Sequence, residues 1–140
     1  MKNKTKGCVY FYINADDLDP DMCTSLIGVP PTRAYRKGDS QGGKRPLART
    51  GHWEVRFNND EMREINTDTE ALLDILLPSK IAIRKILRNI GIEAGIFCVV
   101  CAHDAKPCLR LSAKCLCKLS EIGVDYEIDY YDYTGCNGEE

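Results

Sequence analysis

Beyond Glu121 the chain has no lysine or arginine, and nowhere does it carry an apolar run long enough to cross a bilayer. Its longest apolar stretches, such as "GIFCVVCA" from Gly95, fall well short of the roughly 20 residues that a membrane helix needs. The opening "MKNKTKG" leads straight into strand-like sequence, with no apolar signal core and no small-residue cleavage site, so the expected location is the cytosol. GxGxxG and GKS arrangements are both missing, which removes the sequence signatures of dinucleotide and P-loop sites. "KGDSQGGK" is glycine-rich and basic, but no capped helix follows it, as a phosphate cradle would require.

What is present is ordinary for one globular domain: 140 residues, 44% hydrophobic and 29% charged, with a formal net charge of -2. That length buries a core without metal or disulfide staples. One domain spanning 1–140 is therefore expected, with 134–140 as a mobile tail. The charge is unevenly spread. Arg33, Arg36, Lys37, Lys44, Arg45, Arg49 and Arg56 crowd one segment, whereas Glu121, Asp125, Glu127, Asp129, Asp132, Glu139 and Glu140 dominate the end. Such asymmetry shapes encounter with charged partners.

Five of the eight cysteines fall in "CVVCAHDAKPCLRLSAKCLC", Cys98 to Cys117. A CxxC holds zinc when its middle residues form a tight turn, but "VV" favours a strand, where an odd separation sends Cys98 and Cys101 to opposite faces. Cys115 and Cys117 fail on a helix, because two residues turn it by roughly 200°. In a reducing cytosol these are foremost small apolar residues. One arrangement survives: Cys101, His103 and Cys108 would converge across a hairpin, although a fourth ligand is lacking. No metal ion, cofactor or catalytic set is expected. His103 and Asp104 are sequence neighbours, a poor placement for a base and its orienting group.

Along the chain, "CVYFYIN" from Cys8 reads as a strand. Asp19 and Pro20 start a helix that Gly28 ends, with Met22, Cys23, Leu26 and Ile27 on one face. Residues 32–50 read as a long basic surface loop. "HWEVRF" alternates, with Trp53, Val55 and Phe57 on the inner face and His52, Glu54 and Arg56 on the outer. "TDTE" at Thr67 predicts a capping box. Beyond Pro78 and Ser79, a second helical stretch carries Ile83, Ile86, Leu87 and Ile90 as its stripe. "GIFCVVCA" predicts a central strand and "CLRL" a short return strand. Ser112 caps a helix that stops at Gly123, and "VDYEIDYYDY" alternates most clearly of all.

This order predicts an α+β fold: a single mainly antiparallel sheet with helices packed on one face, ferredoxin-like or related. Helix endings "LIGV", "NIGI" and "EIGV" are compatible with a degenerate internal duplication.

"YFYINADDLDPDMCTSLIGVPPTRAYRKGD" near the start and "LRLSAKCLCKLSEIGVDYEIDYY" near the end together resemble the domain of unknown function 4279 family of bacteria and phages. The shared pattern is an acidic Asp-Pro turn, a helix closing on Leu-Ile-Gly, a Lys-Gly pair, a tryptophan strand and an acidic, tyrosine-bearing last strand. The resemblance implies no known activity and no catalytic residues.

The expected function is that of a non-enzymatic binding protein, immunity-like or counter-defence-like by analogy with small stand-alone domains. It would engage a protein partner through Asp125, Glu127 and Asp129 of the last strand, through the basic loop, or through both. The alternative is a small anionic-ligand or nucleotide module using Arg33, Tyr35, Arg36, Lys37, Lys44 and Arg45. Nucleic acid and membrane are not expected partners.

Overall fold

β1, Thr5–Ala15, is the strand around which the sheet is built. Its odd-numbered Val9, Phe11 and Ile13 are fully buried, while Tyr10, Tyr12 and Asn14 between them stay half-buried. The computed structural model describes residues 5–57, 61–62 and 64–135. Among these, β1 lies between β3, Gly51–Phe57, and β5, Glu93–Ala102, antiparallel to both. β2, Arg33–Tyr35, adds antiparallel to β3 at one edge, and β6, Asp125–Asp132, adds parallel to β5 at the other. The order is β2-β3-β1-β5-β6, with the short β4, Glu61–Met62, pairing the start of β1.

Since β2 and β1 are both antiparallel to the β3 between them, they run in the same direction. The first crossover is thus a split βαβ unit, whereas β5 and β6 are immediate neighbours. The result is the expected α+β architecture: one mainly antiparallel sheet with all helices over one face. Trp53, Val55, Ile96, Cys98 and Val100 join the β1 residues on that face, against Cys23, Ile27, Leu72, Leu73, Leu76, Ile83, Ile86, Cys115 and Ile122 of the helices. Each fully buried large side chain contributes about 1.5–3 kcal/mol. Phe11 and Trp53 meet edge-on, with centroids 6.2 Å apart.

α1, Pro20–Ile27, starts and stops as its sequence prescribes, but of the expected apolar face only Cys23 and Ile27 are buried, while Met22 and Leu26 stay exposed. Asp19 Oδ1 accepts from the amides of Asp21 (3.1 Å) and Met22 (3.4 Å). Gly28 takes φ 76°, a left-handed turn that its lack of Cβ permits, and its amide reaches the Thr24 carbonyl at 2.8 Å. Trp53 Nε1 donates to Thr24 Oγ1 at 3.0 Å, so α1 is pinned to β3.

α2, Ile65–Leu76, begins earlier than the capping box predicts. Glu64 occupies the cap, and burial of Ile65 extends the helix past Thr67, whose hydroxyl donates to Glu64 Oε1 at 3.1 Å. Glu70 turns instead to Lys118 at 2.9 Å. A 3-10 turn at Leu77–Ser79 carries Pro78 and leads into α3, Lys80–Leu87. α3 stops before Ile90, which is fully exposed and not part of the apolar stripe. α4, Ala113–Ile122, is capped by Ser112, whose hydroxyl accepts from the Cys115 amide at 3.1 Å.

Two further expectations are corrected. Residues 32–50 are not wholly loop, because Arg33–Tyr35 pair with Glu54, Trp53 and His52 as β2. The remainder closes on itself through the Gly38 amide to the Ala48 carbonyl (2.8 Å) and the Ala48 amide to the Asp39 carbonyl (2.9 Å). "CLRL" forms no return strand, so no hairpin brings Cys108 back to Cys101. The predicted tail falls largely outside the described residues; Thr134 and Gly135 within it form a turn.

Candidate binding surface on the open face of the sheet

Strand pleating sends the residues between the core positions to the face that no helix covers. Register aligns them in rows: Tyr35 with His52 and Asn14, then Arg33 with Glu54 and Tyr12, then Arg56 with Tyr10, Phe97 and Glu127. Contacts run almost unbroken from the β2 edge inward. Arg33 lies 5.2 Å over the Tyr35 ring, and Tyr35 stacks on His52 at 5.1 Å with planes 19° apart. His52 Nε2 donates to Glu54 Oε1 at 2.7 Å, and Glu54 Oε2 pairs with Arg56 Nη2 at 3.2 Å. Arg56 sits 4.9 Å over Tyr10, which packs on Phe97 at 5.6 Å.

His52 and Glu54 are buried although they face away from the core. The neighbouring strands flank them, and Tyr35 covers the imidazole. Burial by itself would raise the Glu54 carboxyl, but the hydrogen bond from His52 and the charge of Arg56 outweigh it and hold the group below its ordinary value. The other imidazole nitrogen, Nδ1, lies against the Asn14 side-chain amide. With both ring nitrogens engaged, His52 is arranged to brace the sheet; a general base needs a nitrogen facing substrate.

The opposite edge is acidic. Asp125, Glu127 and Asp129 all project from β6 on this same open face, as their alternation predicts. Asp129 accepts from the Tyr131 hydroxyl at 2.7 Å. Burial raises the Tyr12 hydroxyl, and the nearby Glu93, Glu127 and Asp125 raise it further, a local sign of the negative potential. A groove of about 490 Å³ at the other end of the face is lined by Lys6, Cys8, Tyr10, Arg56, Val99 and Cys101.

The structure divides the predicted basic residues. Arg36 pairs with Asp19 (2.8 Å) and Asp21 (3.0 Å), and Lys37 with Asp16 (2.9 Å), tying the loop to the start of α1. Arg33 belongs to the stacked row on the sheet, and Lys44 is exposed in the loop. Arg45 and Tyr35 meet in a hollow of about 330 Å³, with Gln41, Leu47 and Arg49. Sequence reasoning passed over His52, Glu54 and Tyr10 as site residues. The alternation of "HWEVRF" contained the signal for the first two, but their partners lie on other strands.

Cys98 faces the helices and Cys101 the open side, as strand alternation predicts. Burial pushes the thiols of Cys23 and Cys98 up to about 11. Among the described residues no group of three His, Cys, Asp or Glu side chains is placed to hold a metal ion. His103 instead stacks on Tyr133, 5.1 Å between centroids. No helix among the described residues is long and apolar enough to cross a membrane.

Fold and surface define a small α+β protein whose sheet gives one face to helices and leaves the other open, with charge of opposite sign toward its two edges. A family model described as "Domain of unknown function (DUF4279)" matches residues 3–133, and the chain belongs to that family. Searches of curated proteins and of solved structures return no significant match.

Proposed function

We propose that this chain is a non-enzymatic, cytoplasmic binding protein, immunity-like or counter-defence-like, that engages a protein partner through the open face of its sheet. One observation carries the reading: Arg33 and Arg56 lie toward the β2 side, Asp125, Glu127 and Asp129 lie on β6, and Tyr10 and Phe97 form an aromatic floor between them. Five strands about 4.8 Å apart, each about 3.3 Å per residue, span roughly 20 by 30 Å, approaching the roughly 800 Å² per side of a standard interface. Opposite charges at the two ends fix a partner's orientation and speed encounter. The test compares partner recovery by the native protein and by a D125N/E127Q/D129N variant in the same lysate. Selective loss of a protein from the variant sample is expected; unchanged recovery overturns the acidic-strand reading.

A second reading has its own support. Arg45 and Arg49 converge with Tyr35 on one hollow, and among the described residues neither makes a salt bridge. This suits a small anion or a nucleotide, with Tyr35 as stacking surface. A ligand that binds only the native state raises the melting temperature by mass action. A shift with nucleotides at millimolar concentration that Arg45→Ala removes supports this reading, and no shift counts against it.

A further inference from the structure

On the helical layer, across the sheet from the open face, Met22 (42% exposed) and Leu26 (52%) stand one turn apart on α1. Ile81 of α3 is 64% exposed and shares a groove with Leu26. Between the two helices runs a groove of about 370 Å³ lined by Leu26, Pro78, Ser79, Ile81, Ala82 and Lys85. Its walls are held together, since Ser79 Oγ donates to the Ile27 carbonyl. Single exposed leucines are ordinary on protein surfaces. Here two of them, Leu26 and Ile81, border one concavity, and the one charged residue that lines it, Lys85, is a cation.

α3 contains Lys80, Arg84 and Lys85 and no acidic residue, with Arg88 immediately after it. Lys80 is occupied by Glu121 at 3.5 Å. Among the described residues Arg84, Lys85 and Arg88, like Arg45 and Arg49, make no salt bridge, whereas Arg36, Lys37, Lys106, Lys114 and Lys118 do.

We propose that the α1–α3 groove is a docking site for an amphipathic helix of a partner protein, with apolar anchors one turn apart and carboxylates along the flank that meets Arg84, Lys85 and Arg88. A trough between two helices accepts a third by ridge-into-groove packing, and an amphipathic helix presents its apolar anchors at i and i+4. A bilayer suits a protruding apolar surface better than a recessed one. A two-fold pairing of this face with itself would set the three cations against their own copies. The proposal is independent of the open-face reading, because it uses the opposite side of the molecule.

The probes are two labelled synthetic helices of about 16 residues, identical in leucine spacing, one with Glu and one with Lys at every flanking position. Fluorescence anisotropy is expected to show the Glu peptide binding at least roughly tenfold more tightly than the Lys peptide. Leu26→Ser and Ile81→Ser should each weaken it by about tenfold, and the triple change R84E/K85E/R88E should reverse the preference. All five positions are exposed, so unchanged Trp53 emission and melting confirm that the variants fold. Equal binding of both peptides, or none by about 1 mM, overturns the proposal. So does co-sedimentation with phosphatidylserine vesicles, or a concentration-dependent dimer, that Ile81→Ser abolishes.

Discussion

His52 Nε2 sits 2.7 Å from Glu54 Oε1, two residues along the same strand and on the same face of it, and Arg56 closes the row from the other side at 3.2 Å. Glu54→Ala leaves a buried imidazole and a half-buried guanidinium without their shared acceptor. The expected loss is about 2–3 kcal/mol, read as a lower urea midpoint with little change in slope.

The same carboxyl makes stability depend on pH. Its folded value lies below the ordinary one. Its contribution is therefore complete above the unfolded value of about 4.3 and is lost as pH falls through the folded value. Between about pH 5 and pH 3 the native protein should lose melting temperature more steeply than Glu54→Gln. Parallel slopes would contradict the pairing.

Gly7 offers a sharper test of the sheet. A Cβ there would lie 1.9 Å from the Val99 carbonyl oxygen, where β1 passes from pairing with β3 to pairing with β4. Gly7→Ala should cost at least about 2 kcal/mol, because a backbone atom must move. At Gly28 nothing lies within 4 Å, and only the left-handed backbone is at stake. Gly28→Ala should cost about 1 kcal/mol. Chemical denaturation of the two variants side by side checks the order.

Thiol reactivity should separate the cysteines by burial. Iodoacetamide at neutral pH is expected to label the exposed Cys108 and Cys117 in the native protein, while Cys23, Cys98 and Cys115 react only on unfolding. Peptide mass spectrometry before and after denaturation reads this directly.

The only tryptophan is fully buried and bonds Thr24. Its emission should shift to longer wavelength on unfolding. Thr24→Val should cost about 1 kcal/mol by orphaning the indole N–H, seen as a lower midpoint in the same emission signal.

Much of the fold was legible because local chemistry was strong. Asp19, Pro20 and Gly28 bounded α1, and the apolar-acidic alternation of β6 assigned its two faces before any neighbour was known. Where local signals competed with burial, burial won. Ile65 drew α2 past its apparent capping box, and pairing with β3 turned Arg33–Tyr35 from loop into strand. The exposed Ile90 shows the reverse case, a helical period that outlasts its helix.

By itself, then, the sequence determined the α+β class, the caps of α1 and α4, the inward turn of Trp53 and the split of charge between the loop and the last strand. These depend on residues within a few positions of one another. Only the tertiary structure decided that Tyr35, His52, Glu54, Arg56 and Tyr10 are linked across three rows of the sheet into one chain of contacts, that Arg36 and Lys37 are engaged by carboxylates, and that α1 and α3 leave a groove between them. Those relations join residues from separate elements, and strand register and helix packing, which no short stretch specifies, bring them together.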